Sequence, residues 1–171
     1  HGNIYWTLQT DAIAVPTDIV NKWGDLKWEN GDLGYPVAEA TEHNGGLVQK
    51  FQNGYVTRNP KGTNNWVRGA IAAKYGELQT AKSKLGYPTS DEKSINGGAF
   101  QEFENGNIYW SPATGAHVIY YGDIYKAWGE KGYEQGEYGY PTSDQESASG
   151  SITFQGGKMS QSNGKVREER N

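Results

Sequence analysis

Short apolar stripes at helical spacing recur along this chain. Val15-Pro16-Thr17-Asp18-Ile19-Val20-Asn21-Lys22-Trp23-Gly24 puts Ile19, Val20 and Trp23 on one face of a two-turn helix, with Thr17 placed to cap it and Gly24 to stop it. The element returns from Gly69 to Gly76 with Ile71 and Tyr75, and from Gly122 to Gly129 with Ile124 and Trp128. Each copy sets Ile four residues ahead of an aromatic residue and Gly directly after it. Helices this short are not stable alone, so Ile19/Trp23, Ile71/Tyr75 and Ile124/Trp128 are the expected core anchors.

Period-two alternation supplies the strands. Leu47 to Thr57 alternates across Gln49, Phe51, Tyr55 and Thr57, and Asn53-Gly54 is the pair expected at a type I′ bend. Gln101-Glu102-Phe103-Glu104-Asn105-Gly106 repeats the hairpin, and Ile152 to Met159 repeats it again with Gly156-Gly157 at the bend. Thr114 to Tyr121 alternates loosely and fits a third short strand. Gly2-Asn3-Ile4-Tyr5-Trp6 recurs letter for letter as Gly106-Asn107-Ile108-Tyr109-Trp110, so the chain opens inside a repeat, as a piece of a longer array would. The charged stretch Lys165 to Asn171 is expected to fray.

A turn phrase punctuates these elements: Leu33-Gly34-Tyr35-Pro36, Leu85-Gly86-Tyr87-Pro88 and Tyr138-Gly139-Tyr140-Pro141. Gly permits positive φ or close backbone approach, and Pro holds its predecessor extended. The phrase returns after 52 residues from Gly34 to Gly86 and after 53 from Gly86 to Gly139, a period typical of tandem repeats. The pattern predicts an α+β fold: one repeat domain over residues 1–171, with units near 2–44, 45–96 and 97–149 and a partial copy at 150–166. Each unit is a hairpin, a short strand, a short helix and the turn. A closed ring and an open stack both bury one face of each unit, and both arrangements stay open.

Composition narrows the chemistry. Hydrophobic residues make up 35% of the 171 positions while Tyr numbers 12 and Trp 6, so burial relies on a few large rings. The net charge is −4 and no basic stripe is present, which disfavours a nucleic-acid partner. No apolar run approaches the roughly 20 residues that span a bilayer. The chain has no Cys, which removes disulfides, thiolate metal sites and Cys nucleophiles together.

With these motifs in place the chain resembles LGFP-repeat proteins. The likeness rests on the turn phrase followed by Thr89-Ser90-Asp91-Glu92, on Gln101-x-Phe103-x-x-Gly106, on Ile108-Tyr109-Trp110-Ser111, on Gly115-Ala116-His117 and on Gly122-x-Ile124-x-x-x-Trp128, over residues 2 to 166. The resemblance implies an extracellular module associated with the cell envelope and appended to envelope enzymes. It also implies a non-catalytic role as an anchor to envelope polysaccharide, with arabinogalactan the leading ligand, and neither cofactor nor metal. Two departures bear on the sites. The first unit has Val37-Ala38-Glu39 in place of Thr-Ser-Asp; the second has Tyr55-Val56-Thr57 and Asn64 set against Ile108-Tyr109-Trp110 and His117.

The residues themselves suit sugars, which stack C–H faces on aromatic rings and bond their hydroxyls to amides, carboxylates and His. Neighbours on a strand point to opposite faces, so one of Tyr109/Trp110 and one of Tyr5/Trp6 should be exposed. Trp66, set against Ile119 of the third unit, is a further platform candidate. The candidate contacts are therefore Tyr5, Trp6, Trp66, Tyr109, Trp110 and His117. In a chain short of aliphatics each of these rings also has a plain reading as core, and Gln49 and Gln101 read as backbone ligands across a repeat junction. The Thr-Ser-Asp strings read first as turn or capping chemistry. A hydrolase would need two unique converging acids, whereas the polar residues here are copied between units, and no Gly-x-Ser-x-Gly elbow accompanies His117. A protein-interaction scaffold built on the same aromatics is the alternative to the polysaccharide anchor.

Overall fold

A computed structural model describes residues 1–171 as an α+β protein of small antiparallel sheets and three short helices. The chain divides into two compact units, His1–Glu92 and Lys93–Asn171.

The first unit opens with the hairpin β1 (Gly2–Thr7) and β2 (Thr10–Pro16), followed by α1 (Thr17–Gly24). A four-stranded sheet in sequence order follows, made of β3 (Thr41–His43), β4 (Gly46–Phe51), β5 (Gly54–Arg58) and β6 (Asn64–Arg68), and it leads into α2 (Gly69–Glu77). The second unit repeats this plan as β7 (Lys93–Ile95), β8 (Gly98–Phe103), β9 (Gly106–Ser111), β10 (Gly115–Tyr120) and α3 (Asp123–Glu130). It ends in a three-stranded sheet of β11 (Ile152–Phe154), β12 (Gly157–Ser162) and β13 (Lys165–Arg170).

All six expected anchors are buried, and within each unit a helix is completed by the hairpin that follows it. In the first unit Ile19, Trp23 and Leu33 pack with Phe51 and Val56. In the second, Ile124, Trp128 and Tyr138 pack with Phe154 and Met159. Rings fill both cores in the same way: Trp23 and Trp128 each take the edge of a tyrosine, Tyr5 or Tyr109, at 4.9 Å between centroids.

The turn phrase is the clamp between a helix and the next hairpin. Gln52 and Asn53 donate their backbone N–H groups to Tyr35 O and Leu33 O, and Pro36 bridges Phe51. Gln155 and Gly156 do the same to Tyr140 O and Tyr138 O, with Pro141 bridging Phe154. In both copies a Gln side chain returns a bond, Oε1 of Gln52 and of Gln155 accepting from Tyr35 N and Tyr140 N at 2.9 Å. The phrase glycines sit in the left-handed region, with φ +67 at Gly34 and +65 at Gly139, directly against these Gln side chains.

Several local expectations change once the chain is packed. The bend of the hairpin is Gln52-Asn53, one residue earlier than expected, because Phe51 pairs with Gly54 and the docked phrase holds both bend residues. Gly54 lies in the strand, where a Cβ would strike Val67 O and Leu33. The left-handed pairs expected of type I′ bends fall instead at Asn44-Gly45 and Asn163-Gly164. Segments that read as polar connections form β3 and β7. The charged tail is β13, paired with β12 along its length from Ser162↔Lys165 to Gly157↔Arg170. Two of its charges are paired: Glu168 with Lys131, which also pairs with Glu137, and Arg170 with Glu137, the Arg170 guanidinium lying over the Tyr138 ring.

Thr17 is the first helical residue, not the cap, since its N–H is taken by His1 O. Gly24 does not stop α1 by turning left-handed. The left-handed residues come at Lys27, Gln79 and Gly132, and the helix glycines are small for another reason described below.

The clamp predicts that Gly139→Ala lowers stability by about 2–3 kcal/mol, combining left-handed strain with displacement of Gln155 from Tyr140 N–H. Gly115→Ala isolates the backbone term, because φ there is +82 and nothing lies within 4 Å. It should cost about 1 kcal/mol. Urea denaturation of the two variants measures the difference; equal losses would show that the Gln contact contributes nothing.

Candidate functional site

The acidic residue after each turn phrase has a common task. Glu39, Asp91 and Asp144 accept the backbone N–H groups of Ala14, Trp66 and Val118, at 3.0, 3.0 and 3.1 Å. These acceptors lie along the outer strands β2, β6 and β10, whose free N–H groups would otherwise invite another strand. Glu39, with its longer arm, replaces Asp without loss of the bond. Gln49 completes the accounting by donating to Ala14 O and Ala38 O at the junction between the first and second repeats.

Strand registers correct the alignment of the repeats. Tyr109 pairs with His117 and Ile108 with Val118; in the second repeat Thr57 pairs with Asn65 and Val56 with Trp66. Val56-Thr57-Arg58 therefore corresponds to Ile108-Tyr109-Trp110, one residue later than the letters suggested, because Gly54 and Gly106 both open their strands. Trp66 corresponds to Val118, and Asn65, rather than Asn64, corresponds to His117.

The expected contacts separate by face. Tyr109, 4% exposed, and the half-buried Tyr5 turn inward onto Trp128 and Trp23, which leaves them as core rings. Their neighbours turn outward: Trp6 is 63% exposed, and Trp110 lies half-buried between the small residues Ala99 and Ala116. Trp66 is a wedge at the junction of the first two repeats, packed beside Val56, and the Arg68 guanidinium lies 4.7 Å from its ring centre. Arg68 is itself held by Asp32 and Glu92. His117 is held at both ring nitrogens, Nδ1 3.3 Å from Asp144 Oδ1 and Nε2 2.9 Å from Thr114 O. That arrangement orients the ring. No group of three or more His, Asp or Glu side chains is placed to hold a metal ion.

Another aromatic cluster of the second unit lies on Tyr121, Tyr125 and Tyr133. Their rings meet in sequence, Tyr121 to Tyr125 at 5.1 Å and Tyr125 to Tyr133 at 5.4 Å, with Tyr133 edge-on to the buried Trp128 at 5.3 Å. A buried amide ties them: Asn107 Nδ2 donates to Tyr125 Oη at 3.0 Å, and Tyr121 donates to Asn107 Oδ1 at 2.7 Å. Tyr125 is hydrogen-bonded in turn to Tyr109 and Tyr133. Tyr121 and Tyr133 remain 39% and 36% exposed.

Two sequence features build this patch. The connection from β10 to α3 is one residue longer than that from β6 to α2, and the longer connection carries Tyr121. This extra residue accounts for the period of 53. The other feature is the helix glycine. A Cβ on Gly129 would stand 2.6 Å from the Tyr133 ring, on Gly24 2.9 Å from Trp28, and on Gly76 2.6 Å from Tyr55 Oη. Each helix glycine therefore seats an aromatic side chain, delivered by the following turn in the first and third repeats and by β5 in the second. Trp28, 47% exposed, gives the first repeat its own open ring. The i, i+4 spacing of Tyr121 and Tyr125 was the signal available in the sequence for the cluster.

Burial pushes the phenols of Tyr121 and Tyr125 up to about 12, helped by Glu102 beside Tyr121 and by Tyr133 beside both. Tyr109, deeper, is raised further by burial and by Tyr125. The folded state thus favours the neutral phenols. Their contribution to stability is complete below about pH 10, where an unfolded tyrosine titrates, and is lost as pH rises from about 10 to about 12. Absorbance of tyrosinate against pH should show a late-ionising group of residues. Stability should fall over the same interval, and Tyr125→Phe should flatten that fall; an unchanged pH profile would remove the network.

A model of the LGFP repeat matches residues 1–31, 33–83 and 85–136. Two of these matches begin at Leu33 and Leu85, so the unit of sequence starts with the phrase that docks on the hairpin following it. No curated protein matches the chain. Three successive matches over most of the length, on a structure whose clamp and helix anchors recur at the same positions, make this chain a member of the LGFP-repeat family, a repeat family associated with the cell envelope.

Proposed function

We propose that this chain is a non-catalytic carbohydrate-binding module that holds a secreted protein to envelope polysaccharide, with arabinogalactan as the leading ligand. The observation that carries this reading is the set of exposed aromatic faces on rigid elements, each beside polar groups. Tyr121 bonds Asn107 with Glu102 nearby, and Tyr133 packs on Tyr125, which Asn107 also bonds; Trp28 rests on α1, and Trp6 and Trp110 face outward from their strands. A ring face fixed by core packing accepts the C–H surface of a sugar at little entropic cost, and the polar rim takes its hydroxyls. His117, oriented by Asp144, pairs with Tyr109 and so lies on the opposite face of the sheet from Trp110, which makes these two candidate contacts parts of different surfaces.

Weak sites repeated on one chain favour an anchor. Aromatic faces occur in the first and third repeats, and a long polymer engages both with an avidity above either site alone. A hydrolase reading has less support, since Asp91 and Asp144 are committed to backbone N–H groups.

The test is retention on insoluble envelope polysaccharide stripped of protein and lipid. Wild type should bind and be competed by soluble arabinogalactan. Tyr133→Ala and Trp110→Ala, each with folding intact, should each weaken binding roughly three- to tenfold, the worth of one aromatic contact. Absence of retention on any glycan would overturn the anchor and direct attention to a protein partner for the same rings.

A further inference from the structure

The register that aligns the repeats sets a cleft of the second repeat against the tyrosine cluster of the third. The cleft has a volume of about 340 Å³ and opens to solvent. Phe51 and Ala72 are its buried apolar residues, Tyr55 is half-buried beside them, and Lys50, Gln52 and Asn53 form an exposed rim.

Ala72 corresponds to Tyr125, one residue after the helix Ile in each repeat, and Gly69 stands where the longer connection carries Tyr121. In the third repeat two phenol rings occupy this place and tie their hydroxyls to Asn107. In the second repeat Tyr55 stands where Asn107 does and reaches Gly76, and the small Gly69 and Ala72 leave the space of the two other rings open. The chain thus supplies its own model of an occupant: a flat ring with hydroxyl groups at its edge.

The rim chemistry narrows the class. Gln52 commits Oε1 to Tyr35 N and Asn53 commits Nδ2 to Asp32 O, which leaves an amide donor on one and a carbonyl acceptor on the other. Lys50 forms no ion pair, whereas its counterpart Glu102 is paired with Lys93 at 2.7 Å. No carboxylate lines the cleft, so it offers a cation no anionic ligand. Donors and an acceptor around an apolar base match vicinal hydroxyls, which both donate and accept.

We infer that this cleft is a subsite for one sugar ring of the polysaccharide, its C–H face on Tyr55 and Ala72 and its hydroxyls toward Lys50, Gln52 and Asn53. The inference rests on the carbohydrate reading above and adds a place in the second repeat where the exposed tryptophans are missing.

The experiment is an amide chemical-shift titration of the isotopically labelled full chain with methyl arabinofuranoside, methyl galactofuranoside and, separately, p-cresol as a mimic of the tyrosine ring. A glycoside should move the amides of Gly54, Tyr55, Gly69 and Ala72. Ala72→Tyr, which restores the third repeat's residue, should abolish those shifts. Lys50→Glu, a surface change that holds the test open if the tyrosine variant misfolds, should weaken them about fivefold, the loss of one hydrogen bond. Shifts with p-cresol and none with either glycoside would reassign the cleft to an aromatic side chain and overturn the sugar subsite. Retention of wild type on polysaccharide without glycoside shifts in the cleft would overturn the subsite and leave the anchor standing. Loss of retention altogether would overturn both.

Discussion

Helices α1 and α3 each depend on a hairpin that comes later in the chain, and the turn phrase is what joins them. A two-turn helix has too few hydrogen bonds to hold itself, and a chain with few aliphatic residues cannot close a core around each one. The answer in both units is the same. Trp and Ile from the helix meet Phe from the next hairpin, while backbone bonds from that hairpin's bend fasten the phrase in place. Gly in the phrase admits the left-handed turn and the Gln side chain packed on it; Pro bridges the Phe.

The clamp leaves outer strands with unpaired backbone groups, and the carboxylates after each phrase answer that need. Glu39, Asp91 and Asp144 each cover one N–H of an outer strand. The acidic residues of the strings after each phrase are thereby committed to the backbone.

Within one scaffold the repeats diverge at the helix glycine. Trp28, Tyr55 and Tyr133 all reach a glycine of their own repeat's helix, yet they arrive from different elements and leave different surfaces open. The third repeat fills its surface with tyrosines, and the second keeps a cleft there.

The sequence by itself determined the α+β class, the repeat period, the six helix anchors and the split of Tyr5/Trp6 and of Tyr109/Trp110 between opposite faces, though not which ring of each pair turns inward. All of these follow from local periodicity, which is a property of neighbours along the chain. Tertiary structure decided what depends on partners far apart. The bend fell at Gln52-Asn53 because the phrase docks on it, and the charged tail became β13 because β12 offers an edge. Asp and Glu became strand covers, and Trp66 was covered by Arg68. The tyrosine cluster needed both at once: the i, i+4 pair is written in the letters, but its depth comes from Asn107 on another strand and Tyr133 seated on Gly129. Side-chain identity sets what a residue can do, and only the packed chain sets which groups stand near enough to do it with.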